Sequence, residues 1–92
     1  MNTYLALVSG GPTMPRWEYR FTEITDAGAI KWVVGVVERG DIPPMANKVT
    51  LWEVTNGTDC RAREVARITP QLTAVVVAGS VRKVTGTAEV QS

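Results

Sequence analysis

The chain has 92 residues, ten basic against nine acidic side chains, no histidine and a single cysteine. That length allows one domain over residues 1–92 with one core, and an apolar fraction of 45% with 21% charged residues excludes wholesale disorder. A formal net charge of +1 exerts no global pull towards nucleic acid or an anionic membrane. Without histidine there is no His-based triad and no imidazole ligand, and one cysteine supplies neither an internal disulfide nor a four-ligand zinc site. No metal, cofactor or catalytic residues are expected.

Fourteen Val, eleven Thr and four Ile stand against only four Leu. Branching at Cβ suits a pleated surface better than a helix, so the composition predicts strands. The first nine residues lack a basic region and a long apolar run, as a secretory leader would need. The most apolar stretch, Leu72 to Val81, is about half the ~20 residues of a spanning helix. The expectation is a soluble, cytoplasmic protein, consistent with a single cysteine that cannot form an internal disulfide.

In chain order, residues 3–8 read as a first strand, stopped by Ser9-Gly10-Gly11-Pro12. From Trp17 to Thr22 large apolar and polar residues alternate, the period of a half-buried strand. Asp26-Ala27-Gly28 suits a three-residue hairpin loop, with Gly28 left-handed. That loop predicts a hairpin over 16–38 pairing Ile24 with Ile30, Glu23 with Lys31, Phe21 with Val33, Tyr19 with Gly35, Trp17 with Val37 and Arg16 with Glu38. Opposite charges and apolar partners fall into place together, the pattern that stabilises cross-strand pairs. The second strand would be apolar on both sides, through Val33 and Val37 on one and Trp32, Val34 and Val36 on the other.

Residues 40–47, with tandem Pro43-Pro44, read as a loop. Lys48 to Thr55 is a further strand, and Asn56-Gly57 is a strong hairpin signal. Residues 60–68 alternate as a strand, yet Asp59 could cap a short helix over 59–68; Thr69-Pro70 ends the element either way. Thr73–Ala78 and Val81–Val90 complete the strands around a turn at Gly79-Ser80. The predicted fold is mainly β: a small antiparallel sandwich or barrel of about six strands, with α+β as the alternative.

Several short motifs have bland explanations. Gly10-Gly11-Pro12 lacks the residues of a phosphate-binding loop, Arg39-Gly40-Asp41 fits a turn, Asn56-Gly57-Thr58 fits a hairpin, and Pro12-Thr13-Met14-Pro15 is one isolated PxxP. The acidic residues show no spacing that would bring two carboxylates into one pocket. Cys60 has no partner base in view and reads as a small packing residue.

Two surface signals remain. Paired across Asn56-Gly57, a strand at 60–68 would set Trp52 opposite Arg61 and Thr50 opposite Arg63. Trp52 with Arg61, Arg63 and Arg67 then forms a nucleic-acid platform, or else a solvated face with Arg61 over Trp52 as a cation–π pair. The doubly apolar strand, with Trp32, Val34 and Val36 in excess of what a small monomer needs, together with the Val75-Val76-Val77 run, points instead to a protein–protein interface, most simply in a homodimer. The expected function is therefore a non-enzymatic, self-associating interaction or accessory module, with a small nucleic-acid-binding β-barrel as the alternative. Seven Arg to three Lys with abundant Ala, Val, Gly and Thr is similar to short products of actinobacteria, their phages or other mobile elements, a resemblance of composition only.

Overall fold

The structure, a computed structural model, describes residues 1–55, 60–76 and 81–91, with side chains over 1–55, 60–71 and 84–91. The β-branched runs become strands β1 (Asn2–Gly10), β2 (Trp17–Glu23), β3 (Ala46–Val54), β4 (Arg61–Val76) and β5 (Val81–Val90). They form one antiparallel sheet in the order β2-β1-β3-β4-β5. One helix, α1 (Asp26–Glu38), lies on one face of it. The mainly β, antiparallel character expected from composition holds. The described strands number five rather than six, and the sheet is open.

The predicted hairpin over 16–38 does not form. β2 pairs with β1, from Asn2 opposite Glu23 to Val8 opposite Trp17, and the residues expected as its partner strand are α1. The local reason is the cap. Thr25 is extended (φ −129°, ψ 159°), its Oγ1 accepts the Gly28 N–H at 3.0 Å and its carbonyl accepts the Ala29 N–H at 3.0 Å. Asp26 adds a carboxylate to the first turn, where the helix dipole favours it. Ala29, Val33, Val36 and Val37 recur at helical spacing and are the buried residues of α1. Read at period two, the same valines look like a strand apolar on both sides.

The end of α1 accounts for the Arg39-Gly40-Asp41 tripeptide. Gly40 takes φ +78°. Its N–H donates to the Val37 carbonyl and that of Asp41 to the Val36 carbonyl, both at 3.1 Å. This is a Schellman stop, in which only glycine adopts the left-handed residue without strain.

The core lies between α1 and the sheet. Tyr4, Ala6 and Val8 of β1, Val49 and Leu51 of β3, and Val65, Ala66 and Ile68 of β4 meet Ala29, Val33 and Val37. Gly86 of β5 lets the helix close onto that strand. A methyl group there would sit 3.1 Å from Ile68 Cγ2, 3.5 Å from Val37 Cγ1 and 3.6 Å from Val34 Cγ1.

Residues 61–76 are a strand, which removes the helical alternative at 59–68, and the strand continues through Thr69-Pro70. What stops there is the pairing with β3, whose last described partner in β4 is Ile68; a proline cannot donate to a ladder. From Thr69 onward β4 pairs with β5 alone, through to Val76 opposite Val81. Sixteen residues at ~3.3 Å each account for the 47 Å long axis of the molecule. The Asn56-Gly57 and Gly79-Ser80 turns fall outside the described residues.

Two substitutions test this account by thermal unfolding. Thr25→Ala removes the cap and is expected to cost about 1 kcal/mol, lowering Tm by several degrees. Gly10→Ala is expected to cost more, because its Cβ would lie 2.5 Å from the Met45 carbonyl oxygen, a backbone atom that cannot swing aside. An unchanged Tm for Gly10→Ala contradicts the close approach of β1 to the 43–46 turn.

Candidate interaction surfaces

The candidate interface trio is divided by helix geometry. Val36 is 3% exposed and belongs to the interior, so it is not available to a partner. Trp32 lies on the β2 side of α1. Its ring stacks on Phe21 with centroids 4.0 Å apart and meets Tyr19 edge-on at 5.8 Å, while Phe21 stacks on Tyr4 at 5.7 Å. Val34, on the opposite side of the helix, is half-buried beside Gly86 of β5. Of the second apolar face of the expected strand, Val36 is thus covered within the chain by its own sheet, while Trp32 stays 36% exposed and Val34 half-buried.

The arginine platform is divided as well. Trp52 pairs with Glu64, Glu53 with Arg63 and Val54 with Arg61, a register interrupted by irregularities at Leu51/Trp52 and at Glu53/Val54. It differs by three residues from the one that a two-residue Asn56-Gly57 turn would impose. Thr55 donates its N–H to the Cys60 carbonyl at 2.9 Å, so the connection is longer than two residues. The extra residues in β4, Val65 and Ala62, are β-bulges. Between them alternation is inverted, and Arg63 shares the helix-covered face with Glu53 and Tyr4.

There Arg63 closes a polar clamp on the start of α1. Its Nη2 donates to both carboxylate oxygens of Asp26, at 2.9 and 3.0 Å, and to Glu53 Oε1 at 3.4 Å. The Tyr4 hydroxyl donates to Asp26 Oδ1 at 2.8 Å. That hydrogen bond first, and the guanidinium second, hold the Asp26 carboxyl below the usual aspartate range, while burial is the main cause raising the Tyr4 phenol.

On the uncovered face, the Arg61 guanidinium lies 5.4 Å from the centroid of Trp52, the expected cation–π pair. Arg67 is bonded to the Glu64 carboxylate. Each arginine of the candidate platform therefore already has an anionic or aromatic partner within the chain, and Trp52 is roofed by one of them.

Elsewhere, an apolar groove of about 550 Å³ opens between the start of β2 and the loop after α1, lined by Pro15, Trp17, Tyr19, Ile42, Pro43 and Met45. Sequence reading did not bring these together, because the Tyr19 hydroxyl reaches the Asp41 carbonyl across a 22-residue separation. The one carboxylate in the groove wall, Asp41, is engaged by Arg39 at 3.2 Å. Among the described residues no three His, Cys, Asp or Glu side chains converge as a metal site, and no helix is long and apolar enough to cross a membrane. No family model, curated protein or solved structure matches this chain.

The clamp sets a pH dependence. Asp26 is depressed in the folded state, so its contribution is present above the ordinary aspartate value and is lost as pH falls towards the folded one. Denaturant unfolding between about pH 5 and about pH 3 should show falling stability in the native chain and a shallower fall in Asp26→Asn. Glu64, lowered by Arg67, acts in the same direction in both proteins, so the difference isolates Asp26. Parallel pH profiles would show that the clamp contributes nothing.

Proposed function

We propose that this protein is a non-enzymatic, cytoplasmic interaction module that works as an assembly of its own copies. The observation that carries the reading is the β4–β5 ribbon. Eight residues of β4, from Thr69 to Val76, run past the last pairing with β3 and have β5 as their partner. The chain from residue 71 to residue 81 contains no charged side chain, and seven of its eleven residues are Leu, Val or Ala.

A two-stranded ribbon is marginal in water by itself, and long uncharged strand edges are the usual template for pairing with another chain. Natural edges are blunted by charge; the β4 side of this ribbon is not, the charges Arg82 and Lys83 belonging to β5. A second copy presents the same sequence and the same edge, which is the simplest way to cover it. The engagement of Arg61, Arg63 and Arg67 within the chain supports a protein partner over nucleic acid. The single cysteine, which has no second cysteine in the chain to pair with, supports a reducing compartment.

Size-exclusion chromatography with light scattering across a concentration series tests the reading. The expected mass is a multiple of the 10.0 kDa chain. A 10.0 kDa species persisting at the highest concentration overturns it.

A further inference from the structure

We propose that two copies of this chain join along the outer edge of β5, pairing antiparallel about a two-fold axis at Gly86 to make one continuous ten-stranded sheet. The inference rests on the self-association reading and adds to it the surface, the register and the symmetry.

The outermost strands of the sheet are β2 and β5, and β4 past Ile68 is open on its β3 side. β2 is seven residues long and follows Pro15, and a short strand beside a proline is a blunted edge; charge does not separate the two, since β5 carries Arg82, Lys83 and Glu89. β5 is ten residues long, and among the described residues no element pairs with its outer side. It is the longer of the two outermost edges.

The sequence of β5 is complementary to itself in one register. Centred on Gly86, antiparallel pairing spans the strand from Arg82 to Val90. It sets Lys83 opposite Glu89 of the second copy, Val84 opposite its Ala88 and Thr85 opposite its Thr87. Each of these pairs occurs twice by symmetry, and opposite-charge and Thr–Thr pairs are favourable cross-strand neighbours. Centring on Thr85 would set Lys83 against Thr87, and centring on Thr87 would set Glu89 against Thr85. Both discard the charge match, and the second also shortens the overlap.

Two further observations converge on the same axis. At Gly86 the side chains of Val34 and Val37 of α1 lie over β5. Two-fold pairing here brings the half-buried Val34 flanks of both helices to one side of the seam, where each is covered by the other copy. The register also supports the ribbon. Residues 82–85 of one copy lie along residues 87–90 of the other, which are backed by residues 66–69 of that copy's β4. The two strands that run past β3 thereby gain a third and a fourth neighbour.

Charge reversal in trans is the test, read by light scattering and sedimentation. Lys83→Glu alone sets like charges together at both symmetric positions, and so does Glu89→Lys alone. Each is expected to raise the dimer dissociation constant about tenfold or more. An equimolar mixture of the two variants restores both attractive pairs in a heterodimer and should recover the native constant. Within one chain Glu89 faces Arg67 across β4–β5, and mixing cannot repair that intrachain change, so recovery reports the seam itself. A native chain that self-associates but is indifferent to either reversal, or a mixture that fails to recover, overturns the β5 seam and leaves the self-association reading standing. A native chain that stays monomeric overturns both.

Discussion

The docking of α1 onto one face of the sheet is the contact on which the other features depend. A thirteen-residue helix with four valines and two glycines has weak propensity, since valine and glycine both cost relative to alanine, and its length is marginal for an isolated helix. What makes it helical is the burial of Ala29, Val33 and Val37 against Tyr4, Leu51 and Ile68. Burying each valine contributes about 1.5 kcal/mol or more, which outweighs the intrinsic penalties. The position of α1 then sets the rest. Trp32 fills the space over β2, the Thr25 cap and the Asp26–Arg63 clamp hold one end, and Gly40 turns the chain away at the other.

Much of the sheet was legible before the fold. β1, β2, β3 and β5 follow from alternation and from Gly and Pro punctuation, and β4 from the period of residues 60–68. The largest departure, residues 26–38, has a definite cause. Its valines satisfy period two and period 3.6 at once, so local pattern could not choose between them. The deciding quantity was nonlocal: β1 offered β2 a partner strand, and β3 came to lie on the other side of β1. The signal within the sequence was the apolar character on both sides of the supposed strand, together with Thr25-Asp26 as a cap. The engaged state of the arginines was half legible. Arg61 over Trp52 follows from neighbouring side chains, whereas the Arg63 clamp requires an acidic residue 37 positions away and a bulge that leaves no mark on composition.

A sheet covered by α1 on one face, and carrying on the other a small apolar group whose Leu5 and Val54 are already buried within the chain, has few places left for a partner. The uncovered face carries Glu64 with Arg67 and Arg61 with Trp52, groups already satisfied among themselves. The helix surface away from the sheet is short, and the groove beside Trp17 holds no charge outside the Arg39–Asp41 pair. What remains is backbone: strand edges, and the ribbon that outruns its neighbour. Recognition of that kind reads main-chain geometry first and side chains second.

The two bulges of β4 can also be viewed as a phase inversion two residues long. Val65 slips the alternation and Ala62 restores it, so Arg61 and Arg67 stand on the face that strict alternation assigns them, while Arg63 and Glu64 trade sides. In charge terms the exchange is large. Strict alternation would give the uncovered face of this strand three positive charges and no negative one; the inverted dipeptide leaves two positive and one negative. One irregular stretch of backbone thus removes a cationic stripe from the surface and delivers its central cation to the start of the helix, with no change in the chain's composition.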